Sequence, residues 1–218
     1  MPVPIIIRTF AAIEKTTMTM DEKIKFQPNV LLIDVTFINE IAATSRKVLG
    51  ERLGRELPEL DLPTWLTYLA LDAGLRGADN EVQVLLVHEA DTHRLNGCQP
   101  NDLPSLNGMA CRTPLGEFQF SCVTPADIAT REELFLDLMT LAQDSADVQC
   151  LALLPFHPEY GQKMERELTK LLEEKDAEEC RKVFYFALSQ PSQEWKFRTD
   201  FVTFSLLKAF GVGAEEMK

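Results

Sequence analysis

Four continuous apolar runs, each closed by polar or acidic residues, restrict the fold of this chain more than any other feature. The first run, residues 29–37 (NVLLIDVTF), is rich in stiff β-branched residues that favour a strand, and Asp34 interrupts it. Because apolar and polar residues do not alternate, both faces of this strand should be covered, as in the centre of a parallel sheet. The other three runs are residues 81–89, 147–156 and 182–189.

The segments between these runs have the periodicity of amphipathic helices. Residues 38–57 carry apolar residues about every 3.6 positions, and Pro58 should end that helix. A second helix should place Pro63 in its first turn and bury Trp65. Thr130 and Glu133 have the spacing of a capping box, which predicts a helix to about residue 143 that packs on Leu134, Leu138 and Leu141. Further helices are predicted over residues 160–175 and 197–210, the last with Phe197, Phe201 and Phe204 on one side.

One pair of strands differs from the rest because a tight turn joins its members. Residues 109–113 and 117–123 flank Pro114 and Gly116, which suit a β-hairpin. A polar loop, residues 90–106, precedes this hairpin. The element order therefore predicts an α/β fold, a three-layer sandwich with a mainly parallel sheet and a β-hairpin insertion.

The chain is long enough to form one large domain. Its 218 residues are expected to form a single α/β domain over residues 26–218, after a loosely ordered N-terminal segment over residues 1–25. An alternative start at Met18 or Met20 stays open. No apolar run approaches the ~18 residues that span a bilayer, so no membrane segment is expected.

Charge and cysteine content exclude several classes of function. The formal net charge of −12 should repel polyphosphate and disfavours nucleic acid as a partner. Five cysteines make an odd count without a CxxC pair, which indicates a reduced, cytoplasmic compartment. There is no GxGxxG, GxxxxGK(S/T) or GxSxG motif, so nucleotide and α/β-hydrolase chemistry find no support.

The carboxyl ends of parallel strands meet at one edge of a sheet, and ligands of such folds bind there. By this rule, the polar residues that end the four runs are ligand-binding candidates. Ser189 and Gln190 are the polar residues that follow the last strand. The candidates are Asp34, His88, Glu89, Asp91, His157 and Glu159.

Three of these carboxylates offer a metal site as one alternative. Asp34, Glu89 and Asp91 could hold Mg²⁺ or Mn²⁺, since hard cations take oxygen ligands, and the LLID opening resembles that of PIN-like nucleases. This alternative makes the protein a divalent-metal phosphoester hydrolase. The simpler reading, which we favour, has Asp34 cap the next helix or bond a loop amide, and expects no cofactor.

The sequence gives weaker support for other chemistries at these positions. Asp34-Val35-Thr36 lacks the second aspartate of the aspartate-nucleophile phosphatases, which removes the general acid. His157 could act as a general base, although Glu159 beside it is explained by the dipole of a helix that begins there.

A zinc site over the loop is a further weak alternative. His88 and His93, with Cys98 and a distant Cys111, are residue types that zinc accepts, but their spacing fits no standard zinc module. These histidines and cysteines are better explained as residues of an exposed polar loop.

The segments VLLIDVTFINE, TYLALDAGLRG and GMACRTPLGEFQFSCVT resemble an uncharacterised bacterial domain-of-unknown-function family of the Bacteroides type. The resemblance implies no activity, cofactor or site residue. The sequence thus predicts a cytoplasmic binding or interaction module for a protein partner or a small ligand. A homodimer through the hairpin or the aromatic C-terminal helix is part of that prediction.

Overall fold

The structure, a computed structural model, describes residues 7–9, 25–126, 128–189 and 195–217. Within that part of the chain, eight strands form one sheet and two short strands form another. In chain order the strands are β1 (Ile7–Thr9), β2 (Asn29–Asp34), β3 (Leu60–Asp61), β4 (Asn80–Val87), β5 (Cys98–Gln99), β6 (Met109–Thr113), β7 (Gly116–Val123), β8 (Cys150–Leu154), β9 (Val183–Ala187) and β10 (Arg198–Phe201). The α-helices are α1 (Ala43–Leu53), α2 (Leu62–Asp72), α3 (Leu103–Leu106), α4 (Arg131–Asp144), α5 (His157–Leu171), α6 (Ala177–Arg181) and α7 (Val202–Ala209). A π-helix (Phe37–Ala42) leads into α1, and a 3₁₀-helix (Ala214–Met217) follows α7.

The large sheet has the strand order β1-β6-β7-β4-β2-β8-β9-β10. The six strands from β7 to β10 in this order run parallel. β6 pairs antiparallel with β7, and β1 pairs antiparallel with β6. The four apolar runs are therefore adjacent and parallel, as predicted, and the β6–β7 hairpin is confirmed.

Helices on both faces complete a three-layer α/β fold, which confirms the predicted class. α4 packs on β2, β4 and β8 and against α5, whereas α2 packs against α7 and β6. The crossover from β2 to β4 and the crossover from β7 to β8 run in opposite directions across the sheet. Because parallel crossovers are right-handed, the two must lie on opposite faces.

The strand order also places a topological switch point between β2 and β8, where the connections change direction across the sheet. β2 connects to β4 on one side, while its other neighbour, β8, is reached from the far strand β7. Connections leave β2 and β8 in opposite directions, and in open α/β sheets a crevice forms beyond the carboxyl ends of two such strands.

Several helix limits differ from the prediction. The first helix does not reach Pro58, because Gly54 adopts the left-handed conformation (φ 64°) and ends α1 at Leu53. α5 begins three residues earlier than predicted, with Pro158 in its first turn. The predicted loop over residues 90–106 contains β5 and α3 and buries Leu95, Cys98, Leu103 and Leu106.

The predicted aromatic C-terminal helix is wrong in part. Phe197 is buried before β10, Phe201 is the last residue of that strand, and only Phe204 lies within α7, where it is half exposed. The three rings therefore do not form one side of a helix.

The predicted N-terminal segment, residues 1–25, lies outside the described residues except for β1 and Lys25. The strand β1 was not predicted, and the domain limits stay a prediction.

Candidate functional site

Arg131, the first residue of α4, lies at the switch point and joins the ends of three parallel strands. Its Nη1 donates to Asp34 at the end of β2, and its Nη2 donates to Glu159 in the first turn of α5, which follows β8. Its Nε donates to Glu89, just past β4, at 3.1 Å. Three of the predicted carboxylates therefore do converge, on an arginine of the same chain.

Aromatic rings and burial isolate this guanidinium from water. The Arg131 side chain is 6% exposed. Its Cζ lies 5.7 Å from the ring centre of Phe156 and 5.9 Å from that of Tyr160, within the range of cation–π attraction. We call Arg131, Asp34, Glu89, Glu159 and Tyr160 the arginine cluster.

Asp34 has both carboxylate oxygens in use. Oδ1 accepts from the backbone amide of Thr36 at 2.8 Å, and Oδ2 accepts from the Tyr160 hydroxyl at 2.6 Å as well as from Arg131. The side chain is fully buried. The favoured prediction was that Asp34 caps the next helix or bonds a loop amide, and the Thr36 amide that it accepts from lies at the start of the helical segment after β2.

The charges of the cluster shift its titrations in defined directions. Burial raises the pKa of the Asp34 carboxyl, and the Tyr160 hydrogen bond and the Arg131 charge oppose that rise. Burial alone would lower the pKa of Arg131, but the carboxylates of Asp34 and Glu159 raise it, so the guanidinium stays charged. Burial and the nearby Asp34 raise the pKa of Tyr160, so its hydroxyl remains a donor.

The start of α4 positions the arginine. Thr130 is the N-cap: its hydroxyl accepts from the Glu133 amide at 3.1 Å, and Glu133 accepts from the Thr130 amide at 2.8 Å. This is the predicted capping box. The positive end of the helix dipole also points at the carboxylates, which adds to their stabilisation.

Glu89 and Glu159 are partly exposed, so they can also make contacts outside the cluster. Their side chains are 50% and 49% exposed, and each gives one oxygen to Arg131. With Asp34 ionised, three carboxylates face one guanidinium. The rim of the switch point is therefore acidic.

The remaining predicted residues take no part in the arginine cluster. Asp91 is exposed, and no hydrogen bond or ion pair joins it to the cluster among the described residues. His88 is buried, and its Nδ1 lies 2.8 Å from the Glu89 carbonyl oxygen. Ser189 is exposed, and Gln190 lies outside the described residues.

His157 lies in an aromatic environment instead. Its Nε2 is 2.8 Å from the carbonyl oxygen of Phe186, so this nitrogen carries the proton, and its ring packs edge-on against Phe37 and Tyr185. Burial lowers the pKa of His157 to about 4. His157 is therefore a neutral imidazole bonded to a backbone carbonyl, and its buried Nδ1 has no hydrogen-bond partner among the described residues.

The positions of the cysteines disfavour the zinc alternative. Burial raises the pKa of Cys98 to about 12 and that of Cys111 to about 11, whereas zinc binds the thiolate. In the part of the chain that is described, no group of three or more His, Cys, Asp or Glu side chains is placed to hold a metal ion.

Sequence reasoning missed Arg131 and Tyr160, which hold the cluster together. One signal was present: a cation in the first turn of a helix opposes the dipole and needs carboxylates nearby to be stable. Arg131 also lies four residues before Phe135, on the stripe that α4 buries with Leu138, Met139 and Ala142. The predicted stripe was wrong in part: Leu138 is buried, but Leu134 is only partly buried and Leu141 is 49% exposed.

Comparison with known proteins identifies a family whose function is unknown. The model of a family of unknown function (DUF6621) matches residues 23–217. No curated protein and no solved structure matches the chain. Across the described residues, no helix combines the length and apolar character needed to cross a bilayer.

Proposed function

The chain belongs to DUF6621, a family of unknown function, and we propose from its site geometry that it is a non-catalytic α/β module that binds a partner at the carboxyl edge of its sheet. The arginine cluster is the observation that carries this proposal. A general base or a metal ligand must be accessible, whereas the Asp34 carboxylate is fully buried and accepts three hydrogen bonds, from Thr36, Tyr160 and Arg131.

The histidines support the same conclusion. No histidine among the described residues lies within hydrogen-bond distance of a serine, threonine or cysteine side chain, so the pairing that activates a nucleophile is missing there. His157 donates to a backbone carbonyl, and burial lowers its pKa to about 4, which keeps it neutral in the fold at neutral pH.

The acidic rim indicates the kind of partner. Glu89 and Glu159 expose carboxylates beside a buried cation, Asp91 is exposed two residues after Glu89, and these carboxylates should attract a partner with lysine or arginine side chains. Such a rim raises association rates and sets orientation more than it adds affinity. The proposed partner is therefore a basic protein surface or a small cationic ligand.

A charge-matched affinity experiment tests the proposal. The full chain, a rim variant (Glu89→Gln, Asp91→Asn, Glu159→Gln) and a control variant (Glu173→Gln, Glu174→Gln, Glu178→Gln) remove equal charge at different places. Proteins of the source cell that the unaltered chain retains should be lost by the rim variant and kept by the control. Equal retention by all three would contradict a binding role for this edge.

The divalent-metal phosphoester hydrolase stays a prediction that the same protein can test. A thermal-shift series with Mg²⁺, Mn²⁺ and Zn²⁺ should show no stabilisation if the module is non-catalytic, since a ligand of the folded state raises stability by mass action. Stabilisation that Asp34→Asn abolishes, together with cleavage of a generic phosphodiester, would favour the hydrolase instead.

The homodimer and the cytoplasmic location also stay predictions. The outer edge of the hairpin strand β6 pairs with β1, and Phe204 is the one half-exposed ring of the predicted aromatic helix. Light scattering at micromolar concentrations would decide between monomer and dimer.

A further inference from the structure

We propose that the cavity between α1 and the returning segment 55–57 binds a small molecule that bears a carboxylate or phosphate group. This proposal goes beyond the proposed function and concerns a different part of the molecule. The cavity has a volume of about 290 Å³. That is close to the lower limit, roughly 300 Å³, of pockets that hold small ligands.

The shape of the cavity follows from α1 and the chain that folds back along it. After the left-handed Gly54, the amide of Arg55 donates to the carbonyl of Gly50 at 3.1 Å. Ala43 and Gly50, two small residues on the same side of α1, line the cavity. None of the residues of α1 is fully buried, so this helix does not fill the space beneath it.

Three cations face this cavity, in a chain that is otherwise strongly acidic. Residues 46–55 contain four of the 22 lysines and arginines and one acidic residue, against a net charge of −12 for the chain. Arg46, Lys47 and Arg55 line the cavity together with Glu51 and Glu56. The dipole explains cations in the last turn of a helix, but Arg46 and Lys47 lie in the middle of α1.

The two mid-helix cations differ in a way that suits binding. Arg46 is held in place, because its Nε donates to the Leu57 carbonyl at 2.8 Å and its Nη2 lies 3.6 Å from the exposed Glu56 carboxylate. The third cation, Arg55, is paired with Glu216 at 2.9 Å. The ammonium of Lys47 has no ion pair within 4.0 Å among the described residues, although Glu51 is four positions away. A fixed guanidinium next to an unpaired ammonium is a suitable donor set for a carboxylate or a phosphate.

Titration of the ¹⁵N-labelled full chain with inorganic phosphate, and separately with succinate, tests the proposal. Amide resonances of residues 43–57 should shift and saturate, and the anion that saturates at the lower concentration identifies the preferred group. Lys47→Gln should weaken binding by about fivefold or more, because a charged hydrogen bond is lost.

Arg52→Gln is the matched control, since Arg52 lies on the same helix, carries the same charge and does not line the cavity. It should change affinity by less than about twofold, as expected for a screened charge at a distance. Equal weakening by both variants, or no saturable shift with either anion in the millimolar range, would overturn the proposal.

Discussion

Replacement of Arg131 by methionine should destabilise this protein severely, because it leaves a buried carboxylate without its counter-charge. Asp34 is fully buried and would keep only its bonds to Tyr160 and Thr36. Removal of one partner from a buried ion pair typically costs about 3–5 kcal/mol. The contacts to the half-exposed Glu89 and Glu159 add less than about 1 kcal/mol each. We therefore expect Arg131→Met to lower the free energy of unfolding by about 3–5 kcal/mol at neutral pH.

The pH dependence of this loss separates a charge effect from a packing effect. Burial already raises the pKa of Asp34 above its ordinary value of 3.8, and loss of the guanidinium should raise it further. The folded variant then binds a proton in a pH range where the unfolded chain does not, so the penalty shrinks as the pH falls toward 3.8. A purely steric defect would be independent of pH.

Urea denaturation followed by circular dichroism measures both effects, with Arg112→Met as the control at an exposed arginine. Arg112→Met should stay within about 0.5 kcal/mol of the unaltered chain. The double variant Asp34→Asn/Arg131→Met should be less destabilised than the sum of the single variants by about 1–3 kcal/mol, as expected for residues in contact. A loss of less than about 1 kcal/mol in Arg131→Met, or additive single effects, would refute the buried pair as a stabilising feature.

Three further predictions concern residues outside that pair and can be measured by urea denaturation. Because the pKa of His157 is lowered to about 4 from 6.5, the unfolded chain binds its proton first, and stability is lost as the pH falls from 6.5 toward 4; His157→Gln should lose less over this range, by up to about 3 kcal/mol. Thr130→Ala should cost about 1 kcal/mol because it removes the N-cap of α4, and Thr130→Ser should restore most of it. Gly116→Ala should cost about 2 kcal/mol or more, since Gly116 has φ 141° and an added Cβ would clash with the Asn80 carbonyl oxygen. An unchanged midpoint in Thr130→Ala or Gly116→Ala, or an unchanged pH dependence in His157→Gln, would contradict the contact on which that prediction depends.

The sheet was predictable because its signals are local. The run that contains Asp34 is apolar on both faces, and a strand with that pattern must lie inside a covered parallel sheet. The capping box at Thr130 and the helix that buries Trp65 are also encoded within a few residues. The order of the strands in the sheet was not predicted, because topology rules still leave several arrangements for parallel strands joined by helices.

The arginine cluster could not be predicted in the same way, because its members are distant in sequence. Asp34 and Arg131 are 97 residues apart, and their contact depends on how α4 rotates about its axis over β2. The stripe that α4 buries contains Phe135, Leu138 and Met139 together with Arg131, whereas the predicted stripe contained Leu134, Leu138 and Leu141. Periodicity alone does not choose between two stripes that differ by one position.

The position of Arg131 bears on the two functions that the sequence left open, because it determines which cation the strand-end carboxylates face. Parallel strands bring Asp34 and Glu89 to one edge whether the protein is an enzyme or a binding module. With α4 turned as observed, a permanently charged guanidinium lies where a metal ion would have to bind, and displacing it would leave Arg131 buried and unpaired at a cost of several kcal/mol, about the size of the Arg131→Met effect. Divalent cations should therefore stabilise Arg131→Met more than the unaltered chain, if they stabilise either. Stronger stabilisation of the unaltered chain would mean that the arginine cooperates with a metal ion, and the non-catalytic proposal would then fail.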